Sequence, residues 1–264
     1  MAAFSISNDT LEKGEGNHAL DAKFTDSQIN ARPMGLKDVW GGAKTWINAF
    51  KDDPTAEYLR ADKAPFAEKW YGRYVYCACL ALWCRGKVVF TVDGAVSWSS
   101  GDAPEPKTPF NARREQLAIY ILKRAAGKLT PEQEQRSKER GIKHRAALAE
   151  AFPSDRRENM YYLQGLVTDP AQQGRGLGSA VLRAFTACAD KSRRGCWLIS
   201  TNANNSGFYN SHGFKTAASY LLGDQNPNWK KKPVLVEIMI RQPEDETRAD
   251  KNPTEIHLNT SEKE

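Results

Sequence analysis

The chain has 264 residues, 40% hydrophobic and 27% charged, which is enough apolar material for a sizeable core and too much for a disordered or collagen-like chain. The formal charge of +6 suits an anionic ligand and equally a solvated basic surface, and no aromatic-basic pattern of a nucleic-acid binder goes with it. The five cysteines show neither CxxC pairing nor histidines spaced to complete a zinc site, so no metal is expected and they read as reduced, buried small hydrophobes.

The polar N-terminal stretch lacks the basic and then apolar segments of a secretory signal, and residues 1–26 read as a flexible segment. Leu36, Val39, Trp40, Ala43, Trp46, Ile47 and Phe50 then form one apolar stripe, which predicts a helix ending before Asp52, with Trp40 and Trp46 in the core. Phe66, Trp70, Tyr74, Cys77, Ala81 and Cys84 predict a second helix over 65–84, although Val75 to Leu82 also fits a strand. Its most apolar run, YVYCACLALWC, is 11 residues long, well short of the roughly 20 needed to span a bilayer, so no membrane partner and a cytoplasmic location are expected.

Val88 to Val92 and Ala95 to Ser99 read as an antiparallel pair joined at Asp93-Gly94. Helical composition follows over 110–125 and 131–152, the second helix opening on a Thr130 N-cap with Pro131 in its first turn. MYYLQGLVTD then reads as a strand that runs directly into DPAQQGRGLG, and Val181, Leu182, Phe185, Cys188 and Ala189 mark the buried face of the helix after it. The charged residues 242–264 read as a flexible tail, which leaves 27–241 as one domain.

Gly174, Gly176 and Gly178 therefore occupy a strand-to-helix turn. Without Cβ atoms the backbone can approach a ligand closely, and the first N–H groups of the helix have no partner within it. Those donors and the helix dipole favour a phosphate, and Arg175 adds a positive fork. The pattern is neither the GxGxxG of a dinucleotide fold, since basic residues Lys191 to Arg194 stand where an acid is needed, nor a Walker loop, which needs a closing Gly-Lys-Ser/Thr.

Gln173, Gly176 and Gly178 fit instead the Gln/Arg-x-x-Gly-x-Gly/Ala motif, and the segment resembles the GCN5-related N-acetyltransferases (GNAT). CWLISTNANNSGFYNSHGF is similar to the fifth strand, following loop and tyrosine-bearing helix of that family, and AFKDDP and DGAVSW more weakly to puromycin N-acetyltransferase and similar fungal proteins. The resemblance implies an α/β fold: a mixed, twisted sheet of six to seven strands with helices on both faces, its fourth and fifth strands at 160–168 and 195–201 and its last at 234–240. It implies acetyl-CoA as cosubstrate, with the pantetheine arm along Leu166, Val167 and Thr168. The pyrophosphate would lie on the cradle Gln173, Gly174, Arg175, Gly176, Leu177, Gly178 and Ser179. Asn202 and Asn205 are candidate contacts to the arm, and Tyr209 matches the tyrosine that protonates the departing thiolate.

Ile199 stands where several relatives carry a glutamate that acts as base through water, so the base must lie elsewhere or be dispensable. His212, beside Gly213 at a helix end, reads as a cap rather than a base. The expected acceptor is the amine of a small molecule, taken by a monomer or homodimer. The alternatives are a protein lysine or N-terminus as acceptor, and a non-catalytic CoA binder. The acceptor pocket is expected between the segments 52–58 and 224–229, whose Asp52, Asp53, Glu57 and Asp224 would attract a cationic amine.

Overall fold

The computed structural model describes residues 29–61 and 63–244; the expected flexible segment 1–26 and the tail from residue 245 onward lie outside the described residues. Seven strands form one sheet: β1 (Arg32–Pro33), β2 (Val88–Val92), β3 (Ser97–Asp102), β4 (Tyr161–Thr168), β5 (Cys196–Ser200), β6 (Lys215–Leu222) and β7 (Val234–Arg241). Their spatial order is β1-β2-β3-β4-β5-β7-β6, and every neighbouring pair is antiparallel except β4 and β5.

The helices are α1 (Val39–Ala49), α2 (Pro54–Arg60), α3 (Gly72–Trp83), α4 (Pro109–Ala126), α5 (Pro131–Ala151), α6 (Leu177–Lys191) and α7 (Ser206–Ser211). Along β5 the side chains alternate between two clusters, as a pleated strand requires. Cys196 and Leu198 pack with Phe185 of α6 and with Tyr209 and Phe214, whereas Trp197 and Ile199 pack with Tyr58 of α2 and Ala147 of α5. Helices α6 and α7 therefore cover one face, and α2 and α5 the other. On that second face α1 and α3 close a further cluster around Trp46, Trp83 and Trp98.

The sequence reading holds for the sheet and for the helices around it, with three corrections. Trp40 is 47% exposed rather than in the core. It lies under the Arg73 guanidinium, 3.9 Å from the ring centroid, because the buried stripe of α1 runs through Gly42, Ala43, Trp46 and Ala49. The second expected helix starts only at Gly72 and turns a different face inward. Gly72, Cys79, Leu80 and Trp83 are buried, while Trp70 and Tyr74 are exposed. A Cβ at Gly72 would come within 2.6 Å of the Phe66 and Ala67 carbonyl oxygens, so close packing at the glycine sets the phase that the apolar stripe alone misjudged. Strand β6 was not anticipated. Its outward residues Lys215, Thr216, Ala217 and Ser219 are exposed, which removes the apolar run that would have marked it.

Of the cysteines expected to be buried, Cys79 and Cys196 are, whereas Cys77, Cys84 and Cys188 are only partly buried. All five are free, and burial pushes the Cys79 and Cys196 thiols up to about 12, which keeps them protonated.

Candidate active site

Strands β4 and β5 pair at only three positions, Tyr161 with Cys196, Tyr162 with Trp197 and Leu163 with Leu198. Beyond Leu163, β4 stays paired to β3 as far as Thr168, and β5 stays paired to β7 as far as Ser200, so the two strands part. The cause lies at the branching point. Ser100 faces Gly165 and Gly101 faces Leu163, which makes Gln164 the extra residue of a β-bulge, and a bulge bends its strand and increases the local twist.

Past the fork β4 is held firmly from its β3 side. The Ser97 hydroxyl donates to the Val167 carbonyl (3.0 Å) and lies 2.9 Å from the Thr168 hydroxyl. The opposite edge of residues 164–168 has no strand partner among the described residues, and such an edge offers backbone donors and acceptors to an extended ligand. Leu166, Val167 and Thr168 lie there, all buried.

The glycine turn begins where β4 ends. The Asp169 carboxylate accepts from the Ala171 N–H (3.1 Å) and from the Asn48 amide (3.2 Å), which ties the turn to α1. Gln173 leaves the short 3₁₀ turn Pro170–Gln172 in an extended conformation, and the exposed Gly174 and Arg175 follow, the guanidinium donating to the Gln172 side chain. Gly176 is the N-cap of α6 at φ +76°, in the left-handed region, and makes no side-chain cap. The N–H groups of Leu177, Gly178 and Ser179 in the first turn thus have neither an intrahelical acceptor nor a capping side chain. At Gly178 a Cβ would stand 3.2 Å from the Thr168 hydroxyl, so a side chain would crowd the junction between β4 and α6. These residues fit an extended chain ending in a diphosphate.

Replacing Gly176 by valine forces a β-branched residue into a backbone region that costs about 1–3 kcal/mol and places a side chain over the cradle. Calorimetry is expected to show coenzyme A affinity reduced about 10- to 100-fold in a protein whose circular dichroism is unchanged, as for one or two lost charge-assisted hydrogen bonds. Unchanged affinity in the folded variant would place the diphosphate elsewhere.

Tyr209 lies on α7, 1% exposed, between Phe208 and Phe214 at ring distances of 5.3 and 5.9 Å. Its cluster includes Leu163 and Leu198, the last pair before the fork, and Leu166 just beyond it. The two asparagines divide. Asn202 caps its own turn, its side chain accepting from the Asn204 N–H (3.1 Å), whereas Asn205 is fully buried where α7 begins. His212 Nδ1 donates to the Phe208 carbonyl (2.8 Å) and closes the end of α7, which is the capping role expected of it.

On the α5 face, a cavity of about 370 Å³ takes in Ile199, the first β5 residue past the fork. Its floor is Tyr162, Trp197, Thr201 and Tyr220; Arg140, Gly141, His144 and Arg145 of α5 form the opposite wall. Tyr162 and Trp197 stack with centroids 4.1 Å apart and planes 19° from parallel. A Cβ at Gly141 would meet only Arg145 Nη1, at 3.6 Å. Glycine inside a helix costs about 0.5–1 kcal/mol relative to alanine, and here it leaves room in the wall.

The wall differs from the expected one. Thr55 of the segment 52–58 reaches the cavity, but 224–229 packs against 52–58 instead of standing across a gap from it: Tyr58 and Trp229 meet edge to face at 5.2 Å, and the Asn226 amide donates to the Tyr58 hydroxyl. The acidic residues are also engaged elsewhere. Glu57 pairs with Lys231, Asp224 pairs with Lys143, Asp52 is exposed on its loop, and Asp53 is buried as the N-cap of α2.

Two titratable groups stand out. His144 Nδ1 is 3.5 Å from the Tyr220 hydroxyl, and burial, followed by the charges of Arg140, Arg157 and Arg145, holds the imidazole below its usual value and therefore neutral at pH 7. Asp53 accepts from the Ala56 N–H (2.6 Å) and the Thr201 hydroxyl (3.0 Å), and burial pushes its carboxyl up to about 6 in spite of them. Because the folded carboxyl keeps its proton to higher pH than the unfolded one, stability falls as pH rises from about 4 to about 6 and stays lowered above that. Asp53→Asn retains the cap and is expected to gain roughly 1–3 kcal/mol at pH 7.5 and to flatten that slope, as read by urea unfolding at several pH values. A variant no more stable than the parent at pH 7.5 would contradict the burial cost.

No curated protein matches the chain significantly. A Corynebacterium glutamicum structure described as histone acetyltransferase HPA2 and related acetyltransferase superposes with a TM-score of 0.51 at 20% identity, covering 81% of this chain and 96% of that one. Arylalkylamine N-acetyltransferase 2 from Aedes aegypti does so with a TM-score of 0.52 at 14% identity, over 81% and 99%. At these identities the likeness is one of fold. Residues 139–216 match the family model of the acetyltransferase (GNAT) domain, a stretch that holds the forked strands, the glycine turn and Tyr209. The match to the GNAT acetyltransferase domain thus starts inside α5 and ends on β6.

Proposed function

We propose that the protein is an acetyl-CoA-dependent N-acetyltransferase whose acceptor is the amine of a small molecule. The observation that carries this reading is the continuity of the unpaired β4 edge with the uncapped start of α6: one offers backbone hydrogen bonds to an extended amide chain, the other three N–H donors and a helix dipole to its diphosphate. Bound there, acetyl-CoA supplies an activated acetyl thioester. Leu166, Val167 and Thr168 hold the arm, residues 173–179 hold the diphosphate, and Asn205 supports the loop beside them.

His144 takes the role that Ile199 cannot fill. It shares the cavity with Ile199, is neutral at pH 7 and accepts the proton of the acceptor amine as the nitrogen bonds to the acetyl carbon. The carbon–sulfur bond breaks, and Tyr209 gives its proton to the sulfur. A cavity near the lower end of the size range of small-molecule sites, set between a helix and the sheet, suits a small acceptor better than a protein chain. In a thiol-release assay with acetyl-CoA and a mixed amine library, CoA formation above the amine-free rate is expected. Release no faster than hydrolysis, with tight binding in calorimetry, would leave a CoA binder and not an enzyme.

A further inference from the structure

We infer that the α5 cavity selects an acceptor that carries an oxyanion group, a carboxylate or a phosphate, close to its amine. The inference rests on the acetyltransferase reading and adds the substrate class. Its first support is the sign of the wall: the lining holds Arg140 and Arg145 and, among the described residues, no aspartate or glutamate. A lone ammonium group would be repelled there, whereas an oxyanion beside the amine meets two planar guanidinium forks whose donors match its oxygens.

A second support comes from the surroundings of Arg145, which is exposed at the mouth and makes no ion pair among the described residues. By contrast Lys143, on the same helix, is committed to Glu139 and Asp224, outside the cavity. The third support is chemical. Acetyl transfer needs the amine unprotonated, and nearby positive charge favours the neutral form. Arginines that anchor the oxyanion thus also help to prepare the nucleophile. The stacked Tyr162–Trp197 pair gives the rest of the acceptor a flat apolar floor.

Two matched pairs of acceptors test the selection by thiol release with the full-length enzyme: phenylalanine against phenethylamine, and phosphoethanolamine against ethanolamine. In at least one pair kcat/KM is expected to favour the anionic member about 10- to 100-fold, the range of a hydrogen-bonded charge, and the favoured pair identifies the oxyanion. Arg145→Gln, at an exposed position, and Arg140→Gln should each shrink that preference while acetyl-CoA affinity in calorimetry stays as in the parent. Should Arg140→Gln fail to fold, Arg145→Gln alone still decides. Equal kcat/KM within both pairs, with transfer intact, or a preference untouched in the folded variants, overturns the selection and spares the acetyltransferase reading. Absence of both transfer and acetyl-CoA binding overturns the two together.

Discussion

Replacing Tyr209 by phenylalanine is expected to lower kcat about 10²- to 10⁴-fold while KM for acetyl-CoA stays nearly constant. The substitution keeps the ring between Phe208 and Phe214 and the packing of α7 against Leu163 and Leu198, and deletes one hydroxyl. A proton donor to the leaving sulfur matters mainly in the transition state, so its removal is felt in turnover and not in binding. Stopped-flow thiol release under single-turnover conditions isolates the chemical step. If that step keeps its parental rate, water or another residue protonates the sulfur and Tyr209 serves only the core.

His144→Gln carries the other large effect. Glutamine preserves polarity and approximate size but cannot take a proton, so kcat/KM for the acceptor should fall about 10²- to 10⁴-fold at pH 7. The parent enzyme should show an acid limb, with kcat/KM falling as pH drops through a value below that of a free imidazole. The direction follows from the environment: burial disfavours the imidazolium, as do Arg140 and Arg145 on α5 and Arg157 ahead of β4, while Tyr220 on β6 presents a neutral phenol raised to about 12. In the variant the limb should vanish and a shallower dependence set by the amine itself should remain. An acid limb that survives unchanged in His144→Gln would remove the histidine from the proton path and point to a water chain.

The forked strand and glycine turn proposed to hold the cosubstrate were legible in the sequence because their signals are local. A strand, three spaced glycines and an amphipathic helix stand within 161–191, and each signals its own backbone geometry. The α5 cavity proposed for the acceptor was not, because it is built by distant segments. Arg140, Gly141, His144 and Arg145 read as one polar helix surface until α5 is laid across β6 and β7. The lone signal was Gly141, a weak helix former in the middle of a 21-residue helix. Trp40 and Trp70 failed for a related reason: a 3.6-residue period identifies a helix, but the phase of its buried face is set by close contacts such as that at Gly72.

The position of β7 has a consequence for how the protein acquires its fold. Among the described residues it is the last strand in sequence, yet it lies between β5 and β6 and is paired along both, and Arg241 at its end grips Asp190 of α6 through two hydrogen bonds of 2.6 and 2.8 Å. During synthesis β5 and β6 emerge first and have no common neighbour to join them. The half-sheet that floors the α5 cavity can close only when residues 234–241 leave the ribosome, long after β4, the glycine turn and α6 are free to assemble. Until that moment both strands present open edges, so the nascent chain is most exposed to mispairing just before β7 arrives.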